Sequence, residues 1–223
     1  MTEMLQENYL KNINKIYCDF DGTITKKDAV NTFFEIYADP KWTYYENLWT
    51  EGKISSRENA IKQVALLPEL SQEKLNEYID SIEIDEYFVD FVNYIQSKDI
   101  ELIIISDGFD LFIEKTLQKH NLRNIKYFAN HLKYENGKFS IEFPHFNPNC
   151  KVGAGMCKCN QVKEKTFCYI GDGVSDLCVA KRASVLFATK NLETFCNKND
   201  INCIPFFSFC NIIDYMKKVN WEK

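Results

Sequence analysis

No stretch of the 223-residue chain approaches the roughly 20 consecutive apolar residues that a membrane-spanning helix needs. The opening residues, MTEMLQENYLKN, have neither the basic start nor the apolar middle of a secretory signal. Positive charge is not in excess: 27 Lys and Arg against 32 Asp and Glu leave a net charge of −5, so the footprint of a nucleic-acid binder is missing. Nowhere do two cysteines stand at the C-x2–4-C spacing of a structural zinc module. Nine cysteines are an odd number, which argues against a closed disulfide framework. These absences predict a cytoplasmic globular protein that binds neither nucleic acid nor membrane. Its length suits one ordinary domain plus an insertion, or two small domains.

What is present begins with Lys15–Thr25, KIYCDFDGTIT. A short apolar run closing on a glycine turn predicts a buried strand ending in a loop. Asp19 and Asp21 sit where that strand gives out. Buried carboxylates are costly unless something positive pairs with them, and a divalent cation with a phosphoryl group would meet that need. Residues 26–95 show helical rather than strand periodicity. One helix carries Val30, Phe33, Phe34 and Tyr37, and a second carries Trp42, Tyr45, Leu48 and Trp49. A third, capped by Ser55 or Ser56, runs to Pro68, and a fourth begins near Ser71. Their aromatic residues are expected to form core. Phe88–Ser97 predicts a further helix.

From there strands and helices alternate. Strands are expected over 101–106, 125–129, 167–171, 185–188 and 202–204. Helices are expected over 109–120, 176–183 and 191–197, and Asn136-Gly137 predicts a β-hairpin over 132–143. Alternation of this kind predicts an α/β fold, a doubly wound parallel sheet with helices on both faces. Ligands bind such sheets beyond the carboxyl ends of their strands. Three more polar groups fall at those ends: Ser106-Asp107-Gly108, Lys158 within Met156-Cys-Lys-Cys-Asn160, and Gly171-Asp172-Gly-Val-Ser-Asp176. Spacing alone does not separate Lys158 from Lys151, Lys163 and Lys165.

Taken in order, D-F-D-G-T, S-D-G, M-C-K-C-N and G-D-G-V-S-D resemble the four motifs of the haloacid dehalogenase superfamily. The resemblance implies a Rossmann-like core, residues 1–25 and 96–223, with an inserted helical cap domain over 26–95. It implies a phosphatase in which Asp19 attacks phosphorus to give an aspartyl-phosphate and Asp21 is the general acid and base. Ser106, Asp107, Gly108 and Lys158 would hold the phosphoryl group, Lys158 and Asp176 would orient the cluster, and Mg2+ would sit on Asp19, Asp172 and the backbone carbonyl of Asp21. Asp28 would reach the substrate from the cap, and the substrate would be a small phosphomonoester.

Two subgroups of the superfamily share this layout. Phosphoserine phosphatases have a cap arginine where this chain has Ile61, with Arg57 one turn away as a substitute. Phosphatases of 2-hydroxy-3-keto-5-methylthiopentenyl-1-phosphate in methionine salvage are resembled more closely, through Pro40-Lys-Trp42, Leu66-Leu-Pro68, Phe143-Pro-His145 and the cysteine-flanked Lys158. A non-catalytic phosphometabolite sensor on the same fold is the rival of a different class. Cys150, Cys157 and Cys159 with His145 are a candidate zinc set, against which stands a metal-free loop with reactive thiols.

Overall fold

The computed structural model describes residues 13–221. Residues 1–14, which the sequence pattern predicts to be a short N-terminal helix or arm, therefore lie almost wholly outside the described residues. In chain order the first half contains β1 (Lys15–Cys18), α1 (Ala29–Tyr37), α2 (Trp42–Thr50), α3 (Ser56–Val64), α4 (Gln72–Ser81), α5 (Phe88–Gln96), β2 (Glu101–Phe109) and α6 (Asp110–Lys119). The second half contains β3 (Lys126–Glu135), β4 (Lys138–Glu142), α7 (Lys158–Gln161), β5 (Cys168–Gly171), a 3-10 turn (Val174–Asp176), α8 (Leu177–Ala180), β6 (Val185–Ala188), α9 (Lys190–Lys198), β7 (Ile204–Pro205) and α10 (Phe209–Lys218).

Seven strands form one sheet in the order β4-β3-β2-β1-β5-β6-β7, parallel except for the β3–β4 hairpin. Because side chains alternate across a strand, each central strand feeds two cores. Ile16, Cys18, Leu102, Ile104, Cys168 and Ile170 pack on one face with α5 and α10. Tyr17, Ile103, Ile105 and Tyr169 pack on the other with α8 and α9. This double burial explains why β1, β2 and β5 read as unbroken apolar runs.

The helices α1–α4 share a separate core, built on Phe33, Phe34, Leu75, Tyr78 and Ile79, that rests on Phe109 of β2, Phe112 of α6 and Leu132 of β3. Asp28, Ser55 and Ser71 cap α1, α3 and α4, each accepting from the backbone N–H three residues on. Where the chain enters and leaves this module, Thr25 pairs with Ile84, Lys26 N–H donates to Glu83 O, and Asp85 N–H donates to Ile24 O. The side chains of α5 lie in the sheet's own core.

Several expectations need correction. The strand expected to stop at Ser106 runs on to Phe109, with a register shift that sets Ile105–Phe109 against Phe128–Asn130. An irregularity of this kind re-aims side chains at a strand end. The expected strand over 125–129 and the first arm of the hairpin are one strand, turned at Asn136 (φ 50°) and Gly137 (φ 85°) as a two-residue hairpin requires. The helix expected over 176–183 is a 3-10 turn followed by the short α8. No residue of α2 is fully buried; Trp42 packs half-buried against Phe34 at the margin of the helical core rather than inside it. The expectations omit α10, although Phe209, Ile212, Ile213 and Met216 recur at helical spacing and are buried.

The edge of β1 is tied to the loop before β5. Glu164 accepts from the Tyr17 hydroxyl, and its Oε1 lies 2.6 Å from Lys15 Nζ. Burial works against this carboxylate, but the bonds from Lys15 and Tyr17 hold its pKa down to about 2. A depressed pKa supplies stability above the unfolded value that is lost as pH falls through the folded one. Glu164→Gln is therefore expected to lower the melting temperature at pH 7 and to match the wild type near pH 2. A constant gap across the pH series, followed by circular dichroism, would contradict this linkage.

Candidate active site

The segments past the carboxyl ends of β1 and β5 converge on one buried ammonium group supplied from the loop before β5, with the end of β2 alongside. Lys158 opens α7 and is 2% exposed. Its Nζ lies 2.7 Å from Asp19 Oδ1, 2.6 Å from Asp176 Oδ1 and 3.1 Å from Ser175 Oγ. Lys151, Lys163 and Lys165 make no such contact; Lys163 Nζ donates to Asn160 O. Asp19 continues β1, its N–H donating to Ile170 O across the sheet. Asp176 is fully buried and fully engaged. Its Oδ1 also accepts from the Tyr169 hydroxyl, and its Oδ2 accepts from the N–H groups of Asp172 and Gly173 at 3.0 Å each.

Asp21 is held separately. Its Oδ2 accepts from Ser106 Oγ at 3.1 Å and its Oδ1 from Ala29 N–H at 3.2 Å. A Cβ on Gly108 would lie 2.1 Å from that Oδ2, so only glycine lets β2 approach so closely. Burial first, then the negative charge of Asp28, pushes the Asp21 carboxyl up to about 7. Asp28 is itself pushed up to about 6, mainly by burial. Asp19 is raised by burial and by Asp176, with Lys158 pulling against both.

Asp172 Oδ1 accepts from Thr23 Oγ1, and its Oδ2 lies 3.3 Å from Lys190 Nζ. Gly22, at φ 74°, makes room for that carboxylate: a Cβ there would stand 2.5 Å from Asp172 Oδ2. Lys190 also donates to Gly22 O. Motif reading missed it. Its one signal was its place just past the carboxyl end of β6. Asp107 braces the site from behind, its Oδ1 accepting from Met156 N–H and from Asn130 Nδ2.

Among the described residues, Asp19, Asp172 and Asp176 are the only three potential ligands whose atoms lie within 4.8 Å of one another. Oxygen donors alone suit a hard cation such as Mg2+. The bonds already made by both oxygens of Asp176 leave Asp19 and Asp172 as the carboxylates open to one. The cysteine–histidine set does not form. The His145 ring stands edge-on to Phe128, and Cys159 pairs instead with Cys178.

The floor opens into a cavity of about 270 Å³ closed over by α1–α3. Phe34, Glu46, Trp49, Asn59 and Gln63 line its far side. Glu46 Oε2 accepts from Asn59 Nδ2 at 2.9 Å and from Gln63 Nε2 at 3.0 Å, contacts that motif reading did not anticipate. The expected arginine substitute fails. Arg57 stacks over Phe143 and Phe146 outside the cavity, and Ile61 is 43% exposed.

A parallel α/β sheet with two aspartates past its central strand, a buried lysine and a helical roof defines a class: the phosphoryl-transfer hydrolases of this architecture. The haloacid dehalogenase-like hydrolase model matches residues 16–181, and the chain belongs to that family. It is a phosphatase. A 2-hydroxy-3-keto-5-methylthiopentenyl-1-phosphate phosphatase of Exiguobacterium sp. is 32% identical over 212 residues, spanning 92% of this chain and 98% of the relative. The enzyme of that name from Bacillus velezensis is 30% identical over 87% of this chain and 86% of its own. Among solved structures, a phosphoserine phosphatase captured as a phospho-aspartyl intermediate analogue superposes with TM-score 0.67 at 21% identity, over 91% of this chain and 98% of its own. That likeness establishes the fold. No helix among the described residues is long and apolar enough to cross a membrane.

Lys158 balances two buried carboxylates, so its removal should cost more than the pair contributes. Lys158→Met is expected to lower stability by about 3–5 kcal/mol at pH 7 with metal chelated. The loss should shrink as pH falls and the carboxyl groups protonate. Urea unfolding at pH 7 and pH 5 checks this, and an equal deficit at both pH values would refute it.

Proposed function

We propose that this chain hydrolyses 2-hydroxy-3-keto-5-methylthiopentenyl-1-phosphate, or an ester very like it, through an aspartyl-phosphate on Asp19. One observation carries the reading: Lys158 holds Asp19 on the floor of a roofed cavity while Asp21, two residues on, is pushed up to about 7. A carboxylate paired with a buried ammonium and a carboxyl held by a hydroxyl and a backbone N–H are suited to different roles.

In this reading Lys158 fixes Asp19 Oδ1, and Asp19 attacks phosphorus in line. Asp21, protonated at the outset and steadied by Ser106 and Ala29 N–H, gives its proton to the leaving oxygen. The product alcohol departs, Asp21 then takes a proton from water, and that water opens the acyl-phosphate. Ser106, with the Asp107–Gly108 backbone beside it, and Lys158 receive the equatorial oxygens. Mg2+ would be held by Asp19, Asp172 and the backbone carbonyl of Asp21, and it supplies positive charge to the transferred group. Residues 26–95, chiefly α1–α4, act as the cap that excludes water and selects the alcohol.

The cap side supports the methylthio-ester over phosphoserine. Its lining residues offer aromatic surface from Phe34 and Trp49, amides, and the carboxylates of Asp28 and Glu46, but no cation to receive the carboxylate of an amino acid. The test is phosphate release with Mg2+ across a panel containing phosphoserine and the enol-phosphate. The enol-phosphate should be turned over at least tenfold faster than phosphoserine. Asp19→Asn should lose roughly 10⁴-fold of that rate. Preference for phosphoserine would reassign the substrate, full activity of Asp19→Asn would remove the nucleophile, and binding without release would mark a sensor.

A further inference from the structure

The helix that carries Lys158 and the helix that follows Asp176 meet through two sulfurs. Cys159 Sγ and Cys178 Sγ lie 2.7 Å apart, and both residues are half-buried rather than sealed in the core. Cys178 also lines a second cavity of about 720 Å³ that adjoins the substrate cavity and is bordered by Cys150, Cys157 and Ser175. This cavity gives a small oxidant a route to Cys178, and Cys159 beside it is itself only half-buried. We propose that Cys159 and Cys178 are a redox site that a hydroperoxide converts reversibly to a disulfide, shifting Lys158 and slowing the phosphatase.

The chemistry balances. The Cys159 thiolate attacks one peroxide oxygen, the O–O bond breaks, and an alcohol or water leaves with a proton, giving a sulfenic acid on Cys159. Cys178 attacks that sulfur, the S–S bond forms, and the hydroxyl departs as water. Two thiols are oxidised by two electrons, and one peroxide is reduced.

The surroundings distinguish Cys159 from the other cysteines, its partner Cys178 included, whose thiol is raised by the bond it shares with Cys159 and by burial. The hydrogen bond shared with Cys178, and next the Arg182 guanidinium, bring the Cys159 thiol down to about 7. That guanidinium is anchored by Nη1 donating to Cys159 O at 2.8 Å. Burial raises Cys18 and Cys168, and Cys196 and Cys203 are raised as well, so none of the four favours its thiolate. Cys157, beside Cys150, is likewise raised by burial.

Bond formation has a mechanical consequence. A disulfide requires an S–S distance of about 2.05 Å, so bond formation draws the two sulfurs, and the short helices that carry them, closer together. Lys158 adjoins one of them and spans Asp19 and Asp176, and a misplacement of about 1 Å at a reacting centre can cost roughly 100-fold in rate. A loss of about tenfold is expected here.

The experiment treats the full chain with hydrogen peroxide, removes the excess with catalase, and combines peptide mapping with phosphate release from p-nitrophenyl phosphate in Mg2+. The expected result is a cross-linked peptide pair containing Cys159 and Cys178, with the rate down about tenfold and restored by dithiothreitol. Cys178→Ser should keep its rate through a brief treatment and carry a dimedone-reactive sulfenic acid on Cys159. Should that variant not fold, Cys159→Ser serves, and the peptide map of the wild type stands without either. A bridge at another pair, no bridge, a bridge with an unchanged rate, or equal loss in Cys178→Ser would each overturn the proposal.

Discussion

A lysine ammonium sealed between Asp19 and Asp176 is the contact on which the site depends. Neither carboxylate is tolerable there alone, because a buried charge without a partner is destabilising by several kcal/mol. Lys158 makes both possible and fixes their separation in doing so. Asp176 in turn accepts from Tyr169 and from two backbone N–H groups, which sets the path of the turn carrying Asp172. The positions of three motifs, far apart in sequence, thus follow from one cation. The sheet holds the geometry: Asp19 is hydrogen-bonded into it through its own N–H, and β1 and β5 are packed on both faces.

That cation does not neutralise what surrounds it. Asp19, Asp172 and Asp176 lie within 4.8 Å of one another, with Asp21 and Asp28 nearby, and burial leads the causes that raise Asp19, Asp21, Asp28 and Asp172. Lys190 reaches Asp172 but is 48% exposed and contributes a screened charge. The surplus of carboxylate over ammonium is the physical ground for a divalent cation on Asp19 and Asp172. Beside them, burial and then the charge of Asp28 push the Asp21 carboxyl up to about 7.

Much of this was legible because catalytic motifs are local. The strand before Asp19, the glycines at 22, 108 and 171, and the S-D-G and G-D-G-V-S-D turns each carry a residue type whose chemistry is fixed by its immediate neighbours. Contacts between distant segments were not legible. The Glu46–Asn59–Gln63 cluster joins α2 to α3, Lys190 reaches back to Gly22, and Cys159 finds Cys178 rather than its sequence neighbours. None has a spacing to betray it. Arg57 failed for the same reason: one helical turn was the right distance, but the rings of Phe143 and Phe146, from beyond β4, hold it elsewhere. Trp49 read as core by periodicity alone, yet α2 buries no residue, and Trp49 lines the cavity instead.

The division between floor and roof bears on which esters the cavity suits. The one buried ammonium among the described residues, that of Lys158, lies at the floor, where with a divalent cation it would meet the negative charge of a phosphoryl group. The roof has the opposite character, with Glu46 held in place by two amides and Asp28 fixed as the cap of α1. A second anionic group on the substrate would be brought against these carboxylates with no cation to meet it, a repulsion strengthened by the low polarity of Phe34 and Trp49 beside them. Hydroxyl and keto groups meet no such barrier, and a thioether loses little by leaving water. Under the proposed function, selectivity against anionic alcohols would rest on repulsion as well as on fit.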